Sequence, residues 1–285
     1  MKYTINDFHA QFPDDKTCLA FLYKVRWPRG AACKCGHSDC FYPIEGRKSY
    51  SCSWCGYQIS PTAGTIFHKS PTNLTLWFHA IFLMGQSKNG VAAKEIQRHL
   101  GVTYKCAWRI AKQIRRLMKP DTEPLAGHVE ADETYVGGKR PGKRGRGAEG
   151  KTPVFGVVER GGKIMAKIVP NCKAVSLLPV LLEVVEPGSM VSTDESGSYN
   201  KVESLGFIHG KVRHSAGEYA NGTVHTNTIE GFWSQFKRSV NGTYHAVSRK
   251  HLQTYLDEFV FRYGRSGEPV PPLLFARAGQ IAEAA

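Results

Sequence analysis

Two groups of residues in this chain have the types and spacing to do chemistry. The first is a cluster of thiols. Cys33-Lys34-Cys35-Gly36-His37-Ser38-Asp39-Cys40 is followed by Cys52-Ser53-Trp54-Cys55-Gly56. Zn²⁺ takes four soft or borderline ligands in a tetrahedron, and cysteine pairs on tight turns deliver them. The Cys52 to Cys55 turn suits this, because the following glycine lets the backbone fold its amides towards the sulfurs. In the first half, Cys35-Gly36 matches the end of such a turn, but Ala32 stands three residues earlier and Cys33 is one position late. The expected ligands are Cys33, Cys35, Cys52 and Cys55, with Cys40 or His37 in reserve for Cys33. An all-cysteine site has no open position, so this zinc would be structural. It would hold together a ribbon too small to bury enough apolar surface alone.

The second group is acidic. Val129-Glu130-Ala131-Asp132-Glu133-Thr134-Tyr135-Val136 reads as a strand followed by a Gly137-Gly138 turn. Met190 to Thr193 is a short strand running into Asp194. After thirty-five intervening residues comes Glu230, in a segment from Thr226 to Lys237 whose apolar positions Ile229, Phe232, Trp233 and Phe236 suit a helix. Carboxylates from two strands and one helix can hold two divalent cations, and such a pair drives phosphoryl transfer. Hard oxygen ligands suit Mg²⁺ or Mn²⁺. On the first strand, Glu130 and Asp132 share a side and Glu133 faces the other. Lys237 follows Glu230 by two helical turns and shares its face. Asn227 lies one turn before Glu230, placed either to bind a metal or phosphate oxygen or to cap the helix. His225 is positioned to orient water or simply to sit at the surface.

Other segments must position these groups. Residues 153–158 and 163–169 read as strands joined by an Arg160-Gly161-Gly162 hairpin, and 174–186 suits a helix. Residues 1–29 form an N-terminal helical segment, 30–62 the ribbon, 72–119 a helical block, 127–265 the alternating strand-and-helix domain, and 266–285 a Pro-rich, irregular tail. In the helical block, a helix carries Leu76, Trp77, Ala80, Ile81 and Met84 and breaks at Gly85 to Gly90. Val91 to Leu100 is a short helix with Gly101 as its C-cap, and Thr103 caps the next one. On that last helix Ala107, Ile110, Ile114 and Leu117 make the apolar face, while Arg109, Lys112, Arg116 and Lys119 fall on another. Two helices joined by a short turn, the second one basic, suggest a DNA-binding helix-turn-helix. Lys139, Arg140, Lys143, Arg144 and Arg146 form a Gly-rich basic loop suited to neutralising phosphates.

Composition narrows the classes further. Lys plus Arg number 38 against 24 Asp plus Glu, and the surplus of +14 points to a polyanionic partner. Hydrophobic residues make up 41%, enough for a buried core and too many for a disordered chain. No run approaches the roughly 18 apolar residues of a membrane span. The N-terminus lacks the apolar region of a signal peptide. A cytoplasmic protein is expected, associated with the nucleoid when bound to DNA, with its thiols reduced.

Taken together, the chain resembles bacterial insertion-sequence transposases that carry a zinc ribbon ahead of an Asp-Asp-Glu catalytic domain. The resemblance runs from about residue 15 to 265. It rests on Cys52-Ser53-Trp54-Cys55 with Gly64-Thr65-Ile66-Phe67, on Val129 to Gly138, and on Ser192-Thr193-Asp194. It continues through His225 to Ser234 with Lys237-Arg238, Gly242-Thr243-Tyr244-His245, His251-Leu252 and Glu258-Phe259. It implies an α+β / α/β multidomain protein with an N-terminal helix, zinc ribbon and helix-turn-helix, then a ribonuclease-H-like mixed-sheet catalytic domain. It implies Asp132, Asp194 and Glu230 as ligands of two Mg²⁺ or Mn²⁺ ions, with Lys237 and Arg238 contacting DNA. In such enzymes a strand is cut at the transposon end and the freed 3′-hydroxyl attacks target DNA, within a homodimer or larger assembly on double-stranded DNA. Two departures from the family pattern stand out: Cys33-Lys34-Cys35 replaces the usual Cys-x-x-Cys, and Gly264 follows Arg262-Tyr263 where Asn is usual. The same features also fit a DNA-binding regulator built on an inactive transposase, or a nuclease that cuts without joining.

Overall fold

The computed structural model describes residues 2–120, 123–137, 150–218, 220–265 and 267–280. The chain divides into two compact units, Met1–Leu117 with Gly267–Ala285, and Met118–Ser266. Among the described residues, no helix is long and apolar enough to cross a membrane.

The first unit opens with helices α1 (Ile5–Gln11) and α2 (Asp15–Arg26). Thr4 and Asp7 form a reciprocal capping box on α1, and Asp14 caps α2 by accepting from Thr17 N at 2.7 Å. Three short antiparallel strands follow, β1 (Phe41–Pro43), β2 (Tyr50–Cys52) and β3 (Gln58–Ile59), in that order in one sheet. Helices α3 (Leu74–Gln86), α4 (Ala93–Leu100) and α5 (Tyr104–Leu117) come next. Asn73 makes no side-chain cap for α3. Asp15 does so from α2, accepting from Leu74 N at 3.0 Å and from Thr75 N at 2.9 Å. Gly101 ends α4 at φ +65°, a left-handed conformation that favours glycine. Thr103 Oγ1 accepts from Cys106 N at the start of α5. Ala107, Ile110, Ala111, Ile114 and Arg115 are buried on α5. Leu117, expected on the apolar face, is only half-buried.

The segment expected to be an irregular tail is instead helical over Val270–Ala278. Pro271 and Pro272 sit in the first helical turn, where a missing N–H costs nothing. Val270, Leu274, Phe275 and Ala278 are buried. Phe275 stacks on Phe78 with ring centroids 5.3 Å apart. The segment therefore belongs to the core of the first unit.

The second unit is a mixed α/β layer structure. Its strands are β4 (His128–Val136), β5 (Thr152–Glu159), β6 (Ile164–Ile168), β7 (Met190–Asp194) and β8 (Ile208–Val212), with helix α6 (Ala174–Val184) before β7. The sheet order is β6-β5-β4-β7-β8. β5 runs antiparallel to both its neighbours, while β7 is parallel to β4 and β8. A short hairpin of β9 (Ala220–Asn221) and β10 (Val224–His225) leads into α7 (Asn227–Ser239), and α8 (Arg249–Tyr263) closes the unit. Strand alternation separates two cores. On one face Val129, Ala131, Val157 and Val191 pack with Leu177 and Leu181 of α6. On the other, Val136, Val154 and Val158 pack with Ile229, Phe232, Trp233 and Phe236 of α7 and with Leu256 and Phe259 of α8.

Candidate active site and zinc centre

The four expected thiols come together. Cys33 and Cys52 are buried, Cys35 and Cys55 are exposed, and their sulfurs all lie within 4.8 Å of one another. Cys33 Sγ is 3.4 Å from Cys55 Sγ, and Cys35 Sγ is 3.7 Å from Cys52 Sγ. A tetrahedral zinc with bonds of about 2.3 Å sets its sulfurs about 3.8 Å apart. The donor set and its spacing fit a structural Zn²⁺. The late position of Cys33 is accommodated by the backbone. Cys33 N donates to His37 O at 2.8 Å, Gly36 N donates to Cys33 O, and Gly36 turns the chain at φ +90°. Cys40 Sγ lies 3.3 Å from Cys52 Sγ but donates to His37 O and falls outside the group of four. His37 stacks on Trp54 instead, with ring centroids 4.4 Å apart.

The acids are positioned by strand register. Glu130 pairs with Ser192 across the parallel β4–β7 ladder. Two residues further on each strand stand Asp132 and Asp194. Neighbouring strands lie about 4.8 Å apart, so these two acids leave the sheet side by side at its carboxyl edge. Asp132 points to the face covered by α7, which carries Glu230 in its first turn. Glu133 points to the other face and accepts from the buried Tyr199 hydroxyl at 2.5 Å. Burial pushes the Asp132 carboxyl up to about 7, and the charges of Glu133, Asp194 and Glu230 add to the shift. The three acids thus share one electrostatic neighbourhood. Their oxygens are not drawn within 4.8 Å as a set; among the described residues only the cysteines are. Like charges repel, and two of the acids have other partners. Asp194 Oδ1 accepts from Ser196 N at 3.0 Å. Glu230 Oε1 accepts from Thr226 Oγ1 at 2.8 Å and lies 3.5 Å from His214 Nε2. Oxygen donors around a carboxyl whose neighbours oppose its ionisation fit divalent cations, which would relieve that repulsion.

Lys237 reaches the same neighbourhood. Loss of hydration lowers its pKa, the Asp132 charge raises it and Lys151 lowers it. Arg238 is exposed on the same helix. Asn227 is the first residue of α7 and is exposed. The capping role considered for it belongs to a carboxylate from the sheet. Glu130, fully buried, accepts from Thr228 N at 2.8 Å, Ile229 N at 3.1 Å and Thr228 Oγ1 at 2.8 Å. His225 is partly buried, with Nδ1 3.0 Å from Glu130 Oε1. Sequence reasoning found the two-residue spacing of Glu130 and Asp132 but not what Glu130 binds. At the end of α8, Arg262 pairs with the buried Glu258 at 2.6 Å, and Tyr263 packs edge-on against Phe232.

On α5, Arg109 and Arg116 are exposed and Lys112 is half-exposed, with exposed Lys119 just beyond the helix. Arg109 also donates to His68 O at 3.3 Å, and Lys112 lies over the Trp108 ring. Lys139, Arg140, Lys143, Arg144 and Arg146 lie outside the described residues.

The second unit is thus a mixed α/β domain with sheet order β6-β5-β4-β7-β8, and a four-cysteine ribbon precedes it in the chain. Residues 124–264 match the ISXO2-like transposase domain, and residues 13–58 match the transposase zinc-ribbon domain. The chain belongs to this family of insertion-sequence transposases and is by that membership a DNA-processing enzyme. It is 28% identical over 273 residues to a Halobacterium salinarum protein of the transposable element ISH50, covering 88% of this chain and 91% of that one. It is 32% identical over 104 residues to a transposase-like protein of Haemophilus influenzae, covering 36% of this chain and 83% of that one. Among solved structures, the pre-cleavage Mos1 transpososome aligns at 11% identity and a TM-score of 0.30, over 73% of this chain and 78% of that one. A simian T-cell lymphotropic virus intasome aligns at 15% identity and a TM-score of 0.32, over 58% of this chain and 63% of that one.

Proposed function

We propose that this transposase cuts a DNA strand at each end of its element and joins the freed 3′-hydroxyl to target DNA. Asp132, Asp194 and Glu230 would hold two Mg²⁺ or Mn²⁺ ions, hard cations matched to carboxylate oxygens. When bound, such a pair activates the attacking oxygen and stabilises the leaving one. The observation that carries this reading is the parallel β4–β7 register, in which Asp132 and Asp194 each follow the paired residues Glu130 and Ser192 by two; burial, then the charges of Glu133, Asp194 and Glu230, oppose ionisation of Asp132. Lys237 supplies positive charge beside Asp132, suited to a phosphate of the strand being cut. Arg238 extends that charge along α7. Arg109, Lys112, Arg116 and Lys119 suit backbone contacts by α5, with α4 and α5 acting as the helix-turn-helix. Lys139, Arg140, Lys143, Arg144 and Arg146, which follow β4 in the sequence, add counter-charge for phosphates. Joining two ends calls for a homodimer or larger assembly, working in the cytoplasm on the nucleoid.

The test uses duplexes carrying the element's terminal sequence, with Mg²⁺, and compares the wild type with Asp194→Asn. Joined products should form with the wild type and vanish in the variant, while a gel-shift assay shows DNA binding retained. Strand transfer by the variant would refute the proposal. Hydrolysed ends without joined products would point to a nuclease. No cleavage with any end sequence or metal would point to a regulator.

A further inference from the structure

The second unit holds a polar chain, buried at Ser192 and Glu130 and partly buried at His128, Arg160 and Thr228, that touches all three acid-bearing elements without including any of the acids. It begins on β7, where Ser192 Oγ lies 2.8 Å from His128 Nε2 of β4. His128 Nδ1 is 3.0 Å from Arg160 Nη1, at the β5–β6 turn. Arg160 has no acceptor, so Nδ1 accepts and Nε2–H donates to Ser192, which fixes the imidazole in its neutral Nε2–H form. Burial and the Arg160 charge lower the His128 pKa in the same sense. Arg160 Nε donates to Glu130 Oε1 at 2.7 Å, and its Nη atoms donate to Thr223 O at 2.5 Å and His225 O at 3.1 Å. Glu130 in turn holds the Thr228 and Ile229 amides at the start of α7.

The spacing along each element is the same. Ser192 precedes Asp194 by two, Glu130 precedes Asp132 by two, and Thr228 precedes Glu230 by two. On the strands, a two-residue step returns to the same face. On α7, the anchored amides fix the turn from which Glu230 projects. A carboxylate with no exposed surface has little freedom to drift, and its partners inherit that rigidity.

We propose that the Ser192–His128–Arg160–Glu130–Thr228 chain is the frame that sets the spacing of the three acids, with Arg160 as a positioning residue for the divalent cations. The inference rests on the reading of Asp132, Asp194 and Glu230 as the metal-binding acids. Groups bonded directly to metal ligands are worth about 10- to 100-fold in metal affinity; this frame acts one step further out, through the backbone that carries each acid, so its effect lies towards the lower end.

The test titrates Mn²⁺ into zinc-replete, full-length protein and follows the free aquo-ion by electron paramagnetic resonance. Arg160→Gln is expected to weaken Mn²⁺ binding several-fold, up to about 10-fold. The Mn²⁺ concentration for half-maximal cleavage should rise in step, and the rate at saturating Mn²⁺ should recover most of its wild-type value. Ser192→Ala, which removes a single hydrogen bond at the far end of the chain, should show a smaller shift of the same kind. It decides the matter if Arg160→Gln fails to fold. Wild-type Mn²⁺ affinity in the folded variants, or a lower rate at every Mn²⁺ concentration with affinity unchanged, would overturn the frame. Asp194→Asn separates the two levels. If it binds Mn²⁺ like the wild type, the reading of the acids fails; if it loses Mn²⁺ while Arg160→Gln and Ser192→Ala do not, only the frame fails.

Discussion

Gly156 stands directly opposite Asp132 in the β4–β5 ladder. A Cβ built there would lie 2.5 Å from Cζ2 and 2.7 Å from Cη2 of Trp233, and 3.1 Å from Cδ1 of Ile229. Carbon atoms in good contact sit about 3.5–4.0 Å apart, so Gly156→Ala demands roughly 1 Å of relief. The indole cannot give way like a flexible chain end: it is rigid and only 3% exposed. Relief must come from lifting α7 off the sheet. Overpacking of this kind costs about 1–3 kcal/mol. In a unit of about 150 residues, that lowers the unfolding midpoint by roughly 2–12 °C. Glu230 lies less than one helical turn from Trp233 and moves with it. A misplacement of about 1 Å near reacting groups costs on the order of 100-fold in rate. The assay pairs thermal unfolding with single-turnover strand cleavage, the latter measured well below both midpoints. Trp233→Phe, which removes the clashing atoms, should restore part of the rate in the Gly156→Ala background. Wild-type midpoint and rate in Gly156→Ala would refute the coupling between this close contact and the placement of Glu230.

Three other outcomes are expected. Cys33→Ser should lose bound zinc and leave the ribbon open to trypsin, whereas Cys40→Ser should keep one zinc per chain; metal analysis with limited proteolysis distinguishes them. Asp15→Ala should destabilise the first unit by about 1–2 kcal/mol, because two α3 amides lose their cap; urea unfolding measures it. The His79 pKa is lowered, by burial first and then by the charges of His9 and His99. The unfolded chain therefore binds this proton more readily, so the stability it contributes is full above about pH 6.5 and is lost as pH falls towards the lowered folded value. Replacing His79 with Gln should flatten the pH dependence of the first unit's stability on the acid side of that window, as followed by unfolding at pH 7.5 and 5.5.

What the sequence made legible was local. Strand alternation put Asp132 and Glu133 on opposite faces, and the run Ile229, Phe232, Trp233, Phe236 identified the buried side of α7, because both patterns depend only on period. The thiol spacing marked the ribbon even with Cys33 displaced, since a tight turn closed by Gly36 tolerates the shift. The signals that escaped depend on partners distant in the chain. Glu130 looked like one more acid on a strand, yet it caps a helix 98 residues away. Arg160 read as a hairpin residue, and nothing local marks it as the link between two strands and a helix. At the C-terminus the prolines drew the reading towards an irregular tail. The helical spacing of Val270, Leu274 and Ala278 was the signal that outweighed them.

The claim on which the chemistry depends is that Asp132, Asp194 and Glu230 gather around divalent cations. A crystal grown with Mn²⁺ and end DNA, examined at the manganese absorption edge, tests it most directly. Two anomalous peaks about 3.5–4 Å apart, each ligated by oxygens from these three side chains, are expected. Manganese bound elsewhere with these carboxylates left uncoordinated would contradict it.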